Sequence, residues 1–132
     1  MAVGGEKGTD MAGEGAQPRV LFVEDEGGLR RAYERFLHGR FELAFAETGA
    51  AARNEMARFA PDLVVLDLKL PDADGMDVLR DLRAVRPDLR VIITTSYASQ
   101  QPLFEMLGIP LQGYLVKPFS LSELETKIRD AL

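Results

Sequence analysis

An α/β fold, a five-stranded parallel sheet lying between two layers of helices, is what this 132-residue sequence predicts. Three observations carry that expectation. Strand-like and helix-like segments alternate from Pro18 to Leu132. Some strand-like runs, Leu63-Val64-Val65-Leu66 above all, are apolar at consecutive positions, which suits strands buried on both faces of a parallel sheet. Several of those runs end on a charged or hydroxyl-bearing residue, where open α/β sheets place their reactive groups.

The elements follow in order. Residues 1–17 are glycine-rich, carry no aromatic residue and show no apolar period, so a disordered tail or interdomain linker is expected there, with residues 18–132 forming the domain. Arg19-Val20-Leu21-Phe22-Val23-Glu24 is a buried-type strand. Leu29, Ala32, Tyr33, Phe36 and Leu37 recur at helical spacing and give an amphipathic helix that Gly39 stops. Phe41 to Ala46 is a second strand, alternating enough to be less buried than the first. Ala52, Met56, Phe59 and Ala60 mark one face of a second helix, ended before Pro61.

The third strand leads into Asp67 and a loop marked by Pro71 and Gly75. Met76, Leu79 and Leu82 then give a third helix that stops near Pro87. Val91-Ile92-Ile93-Thr94-Thr95 is a β-branched fourth strand, and Ser99 to Leu107 reads as a short helix with Pro102 in its first turn. Gly113 to Lys117 is the fifth strand; Ser120 caps a last helix, with Glu123 completing a capping box. Five strands alternating with five helices are expected to form a flavodoxin-like (βα)5 three-layer sandwich with strand order 2-1-3-4-5. That order makes strands one and three neighbours and brings Glu24, Asp25 and Asp67 to one switch point.

Composition narrows the chemistry. The net charge of −5 argues against a nucleic-acid surface, which needs clustered Lys and Arg. No apolar stretch approaches the roughly 20 residues of a membrane helix, and the N-terminus has no apolar secretory core, so a cytoplasmic location without membrane insertion is expected. The absence of cysteine excludes thiolate catalysis, disulfides and cysteine-based metal sites, and a single histidine makes His-rich metal centres a poor fit.

Against that background the strand ends are telling. Three carboxylates in one crevice repel one another unless a cation intervenes, and an all-oxygen set suits a hard divalent ion, Mg²⁺ in particular. Glu26 is expected to face away from its neighbour Asp25. Thr95 brings a hydroxyl and Lys117 an ammonium to the same rim, the latter a point charge suited to phosphate. Taken singly, each group has an ordinary explanation: a solvated turn, a turn former, a strand threonine, a surface lysine. Taken together they are the parts needed to form and hold an aspartyl phosphate.

From Pro18 to Leu132 the chain resembles the receiver domain of two-component response regulators. The resemblance rests on Val23-Glu24-Asp25-Glu26, Leu66-Asp67-Leu68-Lys69-Leu70-Pro71 with Asp74-Gly75, Thr94-Thr95-Ser96, and Tyr114-Leu115-Val116-Lys117-Pro118-Phe119. It implies that Asp67 is the phosphoacceptor. Glu24, Asp25, Asp67 and the backbone carbonyl of Lys69 would serve Mg²⁺, with Glu24 acting through water. Lys117 and Thr95 would assist, and Thr95 and Tyr114 would form a conformational switch. A cis Lys117-Pro118 bond is implied as well.

The implied partner is a sensor histidine kinase or histidine phosphotransfer protein, and the implied state a monomer or weak dimer. The implied role is bacterial phosphorelay signalling, with no catalysis beyond the domain's own phosphorylation and dephosphorylation. The segment Phe104 to Tyr114 and the glycine-rich leader look more like receivers attached to hybrid sensor kinases than like those of DNA-binding regulators. With no room for a helix-turn-helix before the sequence stops at Leu132, a stand-alone receiver or a domain of a longer chain is expected.

Departures from the family pattern are Ser96 and the bulky Tyr97, which is expected either to shield the acyl phosphate from water together with Lys69 or to be a solvated loop aromatic. The rivals are a haloacid-dehalogenase-type phosphohydrolase, disfavoured by Lys69 where a second Asp is needed, a flavodoxin-like cofactor binder, and a non-phosphorylated pseudo-receiver. His38 reads as a helix-terminus cation. Met56, Met76 and Met106 read as core filler, and Arg80, Arg83 and Arg86 with Asp81 as a solvated helix face.

Overall fold

The computed structural model describes residues 16–97 and 101–132. The elements run β1 (Arg19–Val23), α1 (Gly27–Leu37), β2 (Glu42–Ala46), α2 (Gly49–Arg58), β3 (Leu63–Asp67), α3 (Gly75–Val85), β4 (Arg90–Thr95), α4 (Gln101–Met106), β5 (Gly113–Val116) and α5 (Leu121–Ala131). The tail or linker expected over residues 1–17 falls almost wholly outside the described residues, as does the expected start of the fourth helix at Ser99.

All neighbouring strands pair in parallel, in the order β2-β1-β3-β4-β5, which is the order expected from the sequence. Successive side chains on a strand face opposite sides, and here both sides are covered. Leu21, Val23, Val64, Leu66, Val91 and Ile93 pack with Ala52 and Met56 of α2, Val78, Leu79 and Leu82 of α3, and Phe104 of α4. Val20, Phe22, Leu63, Val65, Ile92 and Leu115 pack with Tyr33 and Leu37 of α1 and Leu124 and Ile128 of α5. This double covering is why β1 and β3 are apolar without alternation. Each fully buried Leu, Ile or Val contributes about 2 kcal/mol.

Register sets the rim of the sheet. Val23 lies opposite Leu66, Asp67 opposite Thr94, and Thr95 opposite Val116. The residues that end these strands therefore emerge level with one another. Lys117 follows β5 directly, and its peptide bond to Pro118 is cis.

Local chemistry fixes most helix starts. Thr48, Asp74 and Ser120 each accept a backbone N–H from their own first turn, at 3.0, 2.9 and 3.0 Å. Helix α1 begins two residues before Leu29, at Gly27, and Glu26 at its N-cap makes no side-chain capping bond.

Several expectations are corrected. Phe41 lies outside β2 and makes an isolated bridge with His38. Met106 is 77% exposed, because α4 is only six residues long and turns this side chain to solvent. The Arg80–Arg83–Arg86 row is not simply a solvated face. Arg83 donates to the carbonyls of Leu89 and Pro110 and to Gln112, and Arg86 donates to the carbonyl of Pro61. Burial lowers the Arg83 pKa from its ordinary value. Asp81 pairs with Arg53 at 2.7 Å, tying α3 to α2.

Ala60 leaves α2 rather than extending it, with a positive φ of 51° and its N–H donating to Glu55. A side chain with a Cβ is strained in that left-handed conformation. Ala60→Gly is expected to stabilise the domain by about 1 kcal/mol in chemical denaturation.

Candidate functional site

At the carboxyl rim of the sheet lies a cleft of about 790 Å³ whose walls include Glu24, Asp25, Asp67, Thr95, Tyr97 and Lys117. Asp67 is the last residue of β3 and is 6% exposed; Glu24 directly follows β1 and is 2% exposed. Lys117 reaches both acids, its Nζ lying 3.0 Å from Glu24 Oε1 and 3.0 Å from Asp67 Oδ2. Their other oxygens are held by backbone: Glu24 Oε2 accepts the Glu26 amide at 3.2 Å, and Asp67 Oδ1 accepts the Lys69 amide at 3.0 Å. Asp25 is exposed and opens onto solvent.

Oxygens of Glu24, Asp25 and Asp67 can be chosen that all lie within 4.8 Å of one another. Two oxygens bound to one Mg²⁺ at about 2.1 Å are at most about 4.2 Å apart, so small side-chain adjustments bring the set onto a common ion. The donors are all hard carboxylates, which fits that ion and not a softer one. Charge counting agrees: three carboxylates and one ammonium sum to −2, which a divalent cation neutralises.

The electrostatics of the pair Glu24 and Lys117 differ in sign of cause. Burial pushes the Glu24 carboxyl above its ordinary value, the Lys117 hydrogen bond opposes this, and the Asp67 charge adds to it. Burial acts to lower the Lys117 ammonium, but its hydrogen bonds to Glu24 and Asp67 outweigh that and leave it raised. Both shifts are upward: the ammonium is secured, while one of its partners remains costly to ionise.

The loops are held rigidly. Gly75 lies against Leu68 so closely that a Cβ there would come within 2.4 Å of the Leu68 Cα, and its N–H donates to the Leu68 carbonyl at 2.9 Å. No other residue fits that approach. Asp72 accepts the amides of Gly49 and Ala50 at 2.8 and 3.2 Å, so the loop after Asp67 grips the start of α2. Those bonds, that to Gly49 foremost, hold the Asp72 carboxyl below its usual range. Thr95 is buried and its Oγ1 accepts the Tyr97 amide at 3.1 Å, while the Tyr114 hydroxyl donates to the Tyr97 carbonyl at 2.8 Å.

Every residue singled out from the sequence thus sits at this rim: Glu24, Asp25, Asp67, Lys69, Thr95 and Lys117 line the cleft, and Tyr114 touches it through Tyr97. Glu26 is exposed at the cleft wall and outside the carboxylate triad. Sequence reasoning missed Arg30, which donates to the Glu24 carbonyl at 2.9 Å and pairs with Glu47 at 3.5 Å. Its signal was its place one turn into α1, facing back toward the strand end. Asp72 was missed because a loop aspartate reads equally well as a turn former.

A five-stranded parallel α/β domain whose rim gathers three acids, a threonine and a lysine defines the class of receiver domains. The chain belongs to the response regulator receiver domain family, whose model matches residues 20–129. It is 39% identical over 114 residues to the KDP operon transcriptional regulatory protein KdpE of Escherichia coli, covering 86% of this chain and 50% of that protein. It is 35% identical over 130 residues to the sensor kinase CckA of Brucella abortus, covering 96% of this chain and 13% of that protein. The chain thus spans half or less of the length of these relatives. Among solved structures, the response regulator TrrA of Thermotoga maritima, crystallised in complex with Mg²⁺-BeF, superposes with a TM-score of 0.76 at 28% identity, covering 87% of this chain and 99% of that one. Among the described residues no helix is long and apolar enough to cross a membrane.

A charge removed from Glu24 should be felt in stability. Because its folded pKa is raised, the ionised carboxylate is disfavoured by folding, and stability is lost as pH rises through that pKa. Glu24→Gln is therefore expected to raise the thermal midpoint of the EDTA-treated protein at pH 7. The gain should fade at pH values where the wild-type carboxyl is protonated.

Proposed function

We propose that this receiver domain accepts a phosphoryl group on Asp67 from the phosphohistidine of a sensor histidine kinase or phosphotransfer protein, in a Mg²⁺-dependent reaction, and changes conformation to signal. The observation that carries this reading is the shared ammonium: Lys117 lies 3.0 Å from the carboxylates of both Glu24 and Asp67, residues supplied by three different strand ends. In the transfer the P–N bond of the donor breaks, a P–O bond forms to a carboxylate oxygen of Asp67, and the imidazole leaves. Mg²⁺, held by Glu24, Asp25, Asp67 and the Lys69 carbonyl, would neutralise charge on the phosphoryl oxygens.

The residues of the chain do the rest. Lys117 lies where its ammonium can pass from Asp67 Oδ2 to a phosphoryl oxygen as negative charge moves outward. Thr95 Oγ1 already accepts the Tyr97 amide, and its O–H proton remains available to donate to the phosphoryl group. Any shift of Thr95 draws the Tyr97 backbone with it, and the Tyr114 hydroxyl bonded to that backbone follows. Two differently populated arrangements of Thr95 and Tyr114 form the switch.

The domain works beside its donor in the cytoplasm and catalyses only its own phosphorylation and dephosphorylation. The 35% identity to the sensor kinase CckA fits a receiver joined to a kinase, and the 39% identity to KdpE fits a receiver of a transcriptional regulator equally well. The dehalogenase-type reading is not favoured: its acid–base Asp is replaced by Lys69, which is exposed at the cleft wall.

Backbone NMR with Mg²⁺ and beryllofluoride tests the reading. Shifts should gather around Asp67, Thr95 and Lys117 and vanish with EDTA or in Asp67→Asn; an unperturbed spectrum for the unaltered protein would sink it. With acetyl phosphate as donor, Lys117→Ala should slow phosphorylation roughly 10²-fold. Tyr97, 54% exposed, lines the cleft with Lys69, where the two side chains would shield an acyl phosphate on Asp67 from water. Tyr97→Ala is expected to shorten the phosphoryl lifetime severalfold, measured as release of labelled phosphate.

A further inference from the structure

Arg30 stands at a place that its own helix disfavours for a cation. It lies in the opening residues of α1, whose first turn carries no acidic residue and whose N-cap, Glu26, makes no side-chain capping bond. The positive end of a helix dipole suits an anion there, not an arginine. The guanidinium is nevertheless half-buried and engaged at both arms of its fork. Nη1 donates to the Glu24 backbone carbonyl at 2.9 Å, and Nη2 lies 3.5 Å from a Glu47 carboxylate oxygen. Holding so long a side chain in one arrangement costs rotamer entropy, and what it fixes is one peptide plane.

That plane joins Glu24 to Asp25. The peptide unit is rigid, so a hydrogen bond to the Glu24 carbonyl also fixes the nitrogen and Cα of Asp25. The other side of Glu24 is tied as well, its N–H donating to the Ala46 carbonyl at 2.9 Å. Among the three clustered carboxylates, Glu24 and Asp67 are each oriented by Lys117 and by a backbone amide. Asp25 is the exposed member of the set, and its placement depends on the backbone from which it springs. Glu47 offsets the guanidinium charge, which would otherwise act against a cation approaching the acids.

We propose that Arg30 is a positioning residue for the divalent-cation site: by clamping the Glu24–Asp25 peptide it holds the Asp25 carboxylate where it meets those of Glu24 and Asp67. This inference rests on the reading of the three acids as a cation site. Ordering a ligand before the ion arrives removes that cost from binding. Loss of the groups that orient metal ligands weakens affinity by about tenfold or more.

Charge and positioning predict opposite signs. Calorimetric titration of the full chain with Mg²⁺ compares the unaltered protein with Arg30→Ala and Arg30→Lys, each also melted in EDTA. Removing a nearby positive charge would by itself tighten Mg²⁺ binding, whereas the proposal expects Arg30→Ala to bind about tenfold more weakly. Tighter or unchanged binding by Arg30→Ala, whatever its thermal midpoint, overturns the proposal. Arg30→Lys keeps the charge but gives up the fork that spans the Glu24 carbonyl and Glu47, so it should also bind more weakly. Full affinity in Arg30→Lys overturns the clamp. A further measurement needs no variant: nitrogen-labelled arginine NMR should show hindered rotation of the Arg30 guanidinium both before and after Mg²⁺ is added, and a freely rotating group overturns the proposal. No Mg²⁺ binding by the unaltered protein would instead remove the cation-site reading itself, and this inference with it.

Discussion

One ammonium shared between Glu24 and Asp67 is the contact around which the rim is organised. The three residues are far apart in the chain, Lys117 being 93 positions from Glu24 and 50 from Asp67. No local motif could bring them within 3.0 Å. The parallel sheet does so, because in-phase register delivers successive strand ends to one level. Folding energy from two apolar layers is thereby converted into proximity of like charges that would repel in any looser arrangement. The lysine offsets part of that repulsion and leaves a deficit of positive charge, on which the proposed cation site rests.

Precision in the cleft comes from backbone more than from side chains. Asp67 and Glu24 each accept an amide from two residues further on, which fixes the carboxylate planes. The tight contact of Gly75 with Leu68 and the two amides gripped by Asp72 fasten the loop to α2 and α3. Arg30 and its partner Glu47 close the opposite side, joining the turn after β1 to the turn after β2. The acids and the lysine supply the reactivity, and these contacts prevent it from being dissipated in motion.

The strand order and the membership of the rim were legible in the sequence because both follow from coarse signals: consecutive apolar residues, alternation of elements, and charged residues at strand ends. What escaped was whatever depends on side-chain reach. Met106 carries the same helical spacing as a buried methionine, and its exposure follows from the shortness of α4, which no periodicity reveals. Arg83 and Arg86 look like surface charges in a list of residues. Their long stems let them satisfy carbonyls at element ends, a bond that depends on tertiary placement. Tyr33 was assigned to the apolar face of α1, correctly for its ring; its unsatisfied hydroxyl becomes visible only with the neighbouring acids in place.

The anchoring of the last two helices is unequal. Helix α5 buries Leu124, Ile128 and Ala131, whereas among the described side chains of α4 only Phe104 is buried, with Leu103 and Met106 turned to solvent. Dislodging α4 therefore forfeits a single aromatic peg, while dislodging α5 would strip a whole seam from the opposite layer. If Asp67 is phosphorylated as proposed, α4 is the one of these two helices whose displacement costs less packing.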